Sequence, residues 1–425
     1  MDICKVLSLL LVGTWASLVS GDLTECDALT MICGNLVQEA FTTYPNYADL
    51  KTPQLIQRLG YPVEEHNVTT ADHYILTMYR IPYSNSSPPA LGKIPVLLVH
   101  GVLASSVQWL WQPPDRSLAF MLADSGFDVW LGNSRGTSYS RGHTFLPSND
   151  PNNLTYWDFS FHEMGLYDLP ATVNYINSLT SQRIYYVGHS LGTTQFFSGI
   201  SLNPGLASKI RAMFSLATSG YINHMTNAFF RASAPFLVIS ATEQTINQLG
   251  GGQFLPQVMQ QYIGDFTTYC TQYTLNCGVC NTVFGVLFGI DMCQTDFREL
   301  PGILAHLPDT TSTKTFAHIA QDATLGTFRQ YDYGLNNFAE YGSLLPPNYD
   351  WSKYHVPTVI YYGDNDNLAV PIDVLATANA LRPNVVQLSR VNYSTWDHMD
   401  FVIGKDADVY LYNDMLNIMR NHTYG

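Results

Sequence analysis

Gly188-His189-Ser190-Leu191-Gly192 has the pattern G-x-S-x-G. An apolar run, Ile184–Val187, precedes it, and a helical pattern, Leu191–Leu202, follows. A serine on a sharp strand-to-helix turn presents its hydroxyl to a substrate, and small flanking residues let the backbone turn that tightly. The helix N-terminus behind it favours developing negative charge. The chemistry this suggests is acyl transfer, with Ser190 as nucleophile. A second match, Gly132-Asn133-Ser134-Arg135-Gly136, also follows a strand-like run. It leads into Thr137-Ser138-Tyr139-Ser140-Arg141-Gly142, which reads as loop, so Ser134 lacks the elbow context.

A serine hydroxyl needs a base, and the base needs an orienting acid. Among twelve histidines, His66, His73 and His143 precede the elbow, His189 lies within it, and His422 lies in the tail. His398, in Trp396-Asp397-His398-Met399-Asp400-Phe401, follows the last strand-like run, Val386–Val391, which is where the order nucleophile, acid, base requires it. The acid should leave the preceding strand, Val359–Tyr362. Gly363-Asp364-Asn365-Asp366 offers two candidates. Asp366, deeper in the turn, is the expected partner, and Asp364 reads as a turn-capping carboxylate. Asp397 and Asp400 read as local caps. Two N–H donors must meet the oxyanion: Leu191, next to the nucleophile, and Val102, in the loop His100-Gly101-Val102 after the run Ile94–Val99.

These residues need a scaffold. A short helix and the strands Glu65–Thr70 and Tyr74–Ile81 come first, closed by the polar loop Ser84–Gly92. Strands at Val96–His100, Asp128–Leu131, Ile184–Val187, Met213–Ala217, Val359–Tyr362 and Val386–Val391 then alternate with helices at Ser117–Ser125, Leu169–Leu179, Leu191–Leu202, Val374–Leu381 and Ala407–Met419. Asp168 reads as the N-cap of the second of these helices, just before Pro170. The alternation predicts an α/β class chain with a mostly parallel sheet covered by helices. It breaks between about Tyr221 and Pro347, where aromatic and helical sequence such as Phe284-Gly-Val-Leu-Phe288 takes over. The expected organisation is a signal segment, 1–21; a core in two parts, 22–220 and 348–425; and an inserted, mainly helical cap, 221–347.

Composition excludes several classes. Lys and Arg number 20 against 34 Asp and Glu, a formal charge of −14, which argues against a nucleic-acid partner. Hydrophobic residues at 46% and charged residues at 13% exclude a disordered chain. Lys5, the apolar stretch Val6–Trp15 and the small residues Val19-Ser20-Gly21 read as a secretory signal cleaved before Asp22, too short to span a membrane. Cys4 leaves with it, and Cys26, Cys33, Cys270, Cys277, Cys280 and Cys293 remain. No second pair at ligand spacing accompanies Cys277-Gly-Val-Cys280, so disulfides are expected rather than metal. Sequons at Asn67, Asn85, Asn153, Asn392 and Asn421 suggest a glycoprotein of a secretory or lysosomal lumen. Nothing suggests a cofactor, metal or nucleotide.

The chain resembles the acid lipase family, which includes gastric lipase and lysosomal acid lipase. The resemblance rests on Gly60-Tyr-Pro-Val-Glu-Glu65, Tyr79-Arg-Ile-Pro82, His100-Gly-Val-Leu-Ala-Ser105, Asp128-Val-Trp-Leu-Gly-Asn-Ser-Arg-Gly136 and Trp157-Asp-Phe-Ser-Phe161. Asp168-Leu-Pro-Ala171, Gly188–Gly192, Asn365-Asp-Asn-Leu-Ala369 and His398-Met-Asp-Phe401 add to it. It implies an α/β-hydrolase fold, Ser190, Asp366 and His398 as the triad, and the 132–136 match as a family loop. It also implies a cap disulfide of Cys270 with Cys277 or Cys280, although the spacing differs. Leu191 stands where many relatives have Gln, Val102 where many have Leu, and Val370 where an acidic residue is usual. Backbone donation is unaffected by the first two changes.

The activity implied is hydrolysis of neutral lipid esters, triacylglycerol or cholesteryl ester, at an oil–water interface and at acidic pH. The triad itself gives no reason for acid activity, because it needs a neutral imidazole. The charge of −14 gives one: lowering the pH reduces repulsion from anionic interfaces. Two alternatives stand beside this reading. One is a carboxylesterase or thioesterase acting on soluble esters. The other is a non-catalytic lipid-binding protein on a hydrolase scaffold, against which the presence of Ser190, Asp366 and His398 speaks.

Overall fold

A computed structural model describes residues 50–150, 154–238, 251–254, 291, 294–296 and 299–421. The expected signal segment, the sequon at Asn153 and the cysteines at 26, 33, 270, 277, 280 and 293, with the expected pairing of Cys270 with Cys277 or Cys280, lie outside the described residues.

Helix α1 (Thr52–Arg58) leads into β1 (Glu64–Thr69) and β2 (Tyr74–Ile81), which pair antiparallel. Then come β3 (Pro95–Val99), α2 (Leu118–Asp124), β4 (Asp128–Leu131), the two-residue β5 (Gly142–His143), α3 (Leu169–Thr180), β6 (Ile184–His189), α4 (Leu191–Leu202) and β7 (Ile210–Leu216). The chain continues with α5 (Ala228–Val238), β8 (Gln253–Phe254), α6 (Leu300–His306), β9 (Thr311–Ser312) and α7 (Thr313–Leu325). It returns to the sheet with β10 (Thr358–Tyr362), α8 (Pro371–Ala380) and β11 (Val385–Arg390), and closes with α9 (Asn413–Asn421).

The nine-stranded sheet has the order β1-β2-β4-β3-β6-β7-β10-β11, with β5 paired to β2. From β4 to β11 the pairings are parallel. Strands β3, β4 and β6 are buried along their whole length, as expected where helices cover both faces of a sheet. Strand β3 has its successor β4 on one side and β6 on the other. The chain therefore switches direction across the sheet at β3–β6, the place where ligands bind in open α/β sheets.

Element positions agree closely with the sequence pattern, with three exceptions. Asp168 does not cap α3: its backbone is already helical, five π-helical residues (Met164–Asp168) run into α3, and its carboxylate is drawn to Arg135. Asp364 does not cap its turn either; it pairs with Arg390 at the end of β11. The closing helix is preceded by a π-helical turn, Asp408–Tyr412, so only Asn413–Asn421 is regular α-helix. Among the described residues, the region 221–347 contributes helices and one small antiparallel pair, β8 with β9. No helix among them is long and apolar enough to cross a membrane.

Candidate active site

Ser190 sits between β6 and α4 with φ 53 and ψ −118, a backbone conformation that costs a non-glycine residue about 1–3 kcal/mol. The elbow is held from both sides. Ser190 N–H donates to Leu216 O of β7 at 3.0 Å, and Ser190 O accepts from Thr193 N (2.8 Å) and Thr193 Oγ1 (2.7 Å). Gly188 and Gly192 close on each other so tightly that a Cβ on Gly188 would stand 2.9 Å from the Gly192 carbonyl carbon. Helix α4 is buried from Leu191 to Ser201. The tight turn and rigid support needed to present one hydroxyl are both present.

His398 and Asp366 meet beside this elbow. His398 Nδ1 lies 3.0 Å from both carboxylate oxygens of Asp366. Oδ1 of Asp366 also accepts from Leu368 N (2.9 Å) and Ala369 N (2.8 Å). Burial pushes the Asp366 carboxyl up, but the neighbouring imidazole and these N–H groups outweigh it, so the net shift is downward and the group stays ionised. Asn365 N–H donates to Trp396 O at 3.2 Å, which joins the acid turn to the base loop, and a Cβ on Gly363 would strike that same carbonyl. Ser190 Oγ makes no hydrogen bond to His398 within 3.5 Å; such contacts are often long before substrate binds. The two are joined instead through His189, whose Nε2 lies 3.0 Å from His398 O.

Asp397 and Asp400 act locally. Asp397 Oδ1 accepts from His398 N (2.6 Å), and Asp400 Oδ2 accepts from Asp397 N (2.7 Å). Burial, reinforced by the charge of Asp366, pushes Asp397 up to about 7, and burial raises Asp400 well above the usual carboxylate range.

The register of β3 with β6 pairs Val99 with Gly188. Two residues beyond each partner, Gly101 faces the nucleophile: a Cβ there would lie 3.3 Å from Ser190 Cβ. The next N–H, Val102, and that of Leu191 at the start of α4 are the two proposed donors, and neither meets an acceptor among the described residues. Ser134 lies in a loop with no helix after it. Its Oγ is 3.3 Å from Gln195 Oε1, and its N–H donates to His100 Nε2 at 3.1 Å. Arg135, fully buried, ties this loop to Asp168 and Asp72.

An apolar cluster covers the loop after β3. Leu103, Phe316 and Ala320 are buried together, with Val102, Phe230, Ala234 and Phe254 packed against them. The rings of Phe254 and Phe316 stack at 3.7 Å, and those of Phe230 and Phe316 at 5.6 Å. Helices α5 and α7 and strand β8 thus lay aromatic surface over one of the proposed oxyanion donors.

A model of the α/β-hydrolase fold matches residues 94–405, and one of a partial α/β-hydrolase lipase region matches residues 52–113. Gastric triacylglycerol lipase of Rattus norvegicus is 38% identical over 380 residues, covering 88% of this chain and 92% of its own. The chain belongs to the acid lipase family of α/β-hydrolases. As an acid lipase family member it is a serine ester hydrolase of the lipase class. Lipase member K of Homo sapiens is 37% identical, covering 88% of this chain and 92% of its own, and Lipase 3 of Drosophila melanogaster is 36% identical, covering 85% and 91%. A solved structure from Sulfolobus solfataricus shares the fold with this acid lipase family chain at TM-score 0.50 and 15% identity, covering 84% of this chain and 99% of that one.

Sequence reasoning missed two residues of the site. The sequence places His189 within the elbow and His100 in the loop that carries Val102, with no role for either imidazole. No local signal marks either, because their partners are the carbonyl of His398 and the N–H of Ser134, fixed only by the fold.

Proposed function

We propose that this chain hydrolyses the ester bonds of neutral lipids, triacylglycerol or sterol ester, at an oil–water interface through an acyl-enzyme. Ser190 attacks the ester carbonyl while His398 Nε2 takes its proton. Asp366 holds the imidazole through Nδ1 and offsets the charge that forms on it. Val102 N–H and Leu191 N–H receive the oxyanion, each such donor being worth roughly 10²–10³ in rate. His398 then returns the proton to the leaving alcohol, and water repeats the sequence on the acyl-enzyme.

The observation that carries this reading is the His398–Asp366 pair beside the strained Ser190 elbow. The aromatic cluster over Val102 favours a long apolar acyl chain over a small soluble one, and gastric triacylglycerol lipase among the relatives points to the same substrate class. Residues 221–347 serve as the cap that carries this surface. The enzyme works in a secretory or lysosomal lumen after loss of residues 1–21 and is glycosylated. Asn67, Asn85, Asn392 and Asn421 are exposed, as acceptor sites must be. Activity extends to acidic pH, where the net negative charge falls.

The test compares emulsified long-chain triacylglycerol and cholesteryl ester with a soluble butyrate ester, from acidic to neutral pH. Higher turnover on emulsion supports the lipase reading. Turnover confined to the soluble ester would make the enzyme a carboxylesterase.

A further inference from the structure

The second G-x-S-x-G match, 132–136, supplies no nucleophile, yet it is held with unusual firmness. The Arg135 guanidinium is fully buried between Asp168 and Asp72, and Arg135 N–H donates to Asp168 Oδ2 at 3.3 Å. Asn133 accepts from Ser106 N at 2.8 Å and donates to Thr77 O at 3.0 Å. What this rigid loop presents to the active site is one backbone donor: Ser134 N–H, 3.1 Å from His100 Nε2.

That contact fixes the chemistry of His100. A backbone N–H can only donate, so Nε2 must be the acceptor and the ring proton must sit on Nδ1. Nδ1 lies 2.8 Å from Gly101 O, so Nδ1–H donates to that carbonyl. Burial pushes the His100 imidazole down to about 4, which keeps the arrangement intact through mildly acidic conditions. In a trans peptide the C=O and the following N–H point in opposite directions. Holding Gly101 O therefore aims Val102 N–H the other way. One weaker contact acts on the same peptide, Ala104 N donating to Gly101 O at 3.4 Å, and the preceding peptide is held by Gly101 N donating to Gln108 Oε1 at 3.3 Å. The loop needs such restraint, because Leu103, the next residue, has φ 57.

We propose that His100 is a positioning residue of the oxyanion hole and that the loop 132–136 is its anchor. Ser134 N–H sets the imidazole tautomer, the imidazole sets the Gly101 carbonyl, and the carbonyl sets the direction of Val102 N–H. This rests on the reading of Val102 as an oxyanion donor.

Two isosteres separate the two ring nitrogens. His100→Asn keeps a donor where Nδ1 stands and loses the acceptor; His100→Gln keeps an acceptor where Nε2 stands and loses the donor. The measurements are kcat and KM on a soluble butyrate ester, the affinity of a short alkyl boronic acid that forms a tetrahedral adduct with the serine, and the thermal midpoint. His100→Gln should lose roughly 10²-fold in kcat, with boronic acid affinity falling in parallel and KM little changed. His100→Asn should lose about tenfold or less. Equal losses in both folded variants, or a kcat loss with unchanged boronic acid affinity, would overturn the proposal. If neither variant folds, Asn133→Ala tests the anchor: it should lower kcat and boronic acid affinity at constant KM, and no change in either would contradict the inference. A folded Val102→Pro enzyme that binds boronic acid as wild type does would instead remove the underlying donor assignment.

Discussion

The imidazole of His189, adjacent to the nucleophile in sequence, donates from Nε2 to the backbone carbonyl of His398, 209 residues away, at 3.0 Å. Their rings stand 5.0 Å apart between centroids. The elbow and the loop of His398 are therefore joined by a bond that leaves the His398 side chain free for the proton transfers proposed for it. Burial, with the neighbouring His398, pushes His189 down to about 3, so it is neutral at any pH where the enzyme would work.

Replacing His189 with Phe keeps an aromatic ring but leaves the His398 carbonyl without its donor. Such a loss costs about 1–3 kcal/mol of stability, and a small displacement of the base costs up to about 10²-fold in turnover. His189→Gln, which can still reach with an amide donor, should recover most of the loss. Kinetics on a soluble ester with unfolding of both variants checks this, and equal kinetics in the two would show that the bond does not position the base.

The two carboxylates of the acid turn should separate cleanly. Asp366 is buried, contacts His398 Nδ1 through both oxygens and accepts two N–H bonds. Asp364 is turned to Arg390 at the surface. Asp366→Asn should lower turnover by about 10⁴-fold, whereas Asp364→Asn should stay near wild type. The reverse ranking would mean that the orienting acid had been misassigned.

Asp397 links stability to pH. Its ordinary value is 3.8, and burial raises it to about 7 in the folded chain. A carboxyl whose folded value is raised stabilises fully below 3.8, and that contribution is lost as pH rises from 3.8 to 7. Asp400 is shifted the same way and Asp366 the opposite way, its contribution being lost only as pH falls below 3.8. The raised carboxyls of Asp397 and Asp400 make stability fall as pH rises from 4 to 7, while the buried neutral His100 and His189, held low, act in the opposite sense below about 6.5. The readout is therefore the difference between wild type and a variant in the pH dependence of the thermal midpoint. Asp397→Asn keeps an acceptor for His398 N–H but cannot ionise, so relative to wild type it should gain stability as pH rises from 4 to 7, by an amount on the order of a few kcal/mol at most. An identical slope in the variant would rule out Asp397 as a source of the dependence.

The centre of the sheet was legible because β3, β4 and β6 are short apolar runs bounded by turn residues and buried on both faces, while β2 and β11 show the alternation of strands with one more exposed face. The placement of Ser190 on an elbow and of Asp366 against His398 was legible because each of the three follows a strand in the order this chemistry uses, and the helix from Leu191 distinguishes the setting of Ser190 from that of Ser134. What escaped was set by contacts between distant segments. Asp168 has the sequence of an N-cap but is held by Arg135, and Asp364 has the place of a turn cap but pairs with Arg390. The histidines at 100 and 189 carry no periodicity or spacing that marks them. Their importance lies in which backbone atom each faces.

The most direct test of the central assignment is covalent trapping. Enzyme treated with a fluorophosphonate, then digested and mapped by mass spectrometry, should carry one adduct, on Ser190. Ser190→Ala should be inactive and unlabelled, while Ser134→Ala, which keeps its backbone N–H, should be labelled and retain most of its turnover. An adduct on Ser134, or undiminished hydrolysis by Ser190→Ala, would contradict the assignment of Ser190 as the nucleophile.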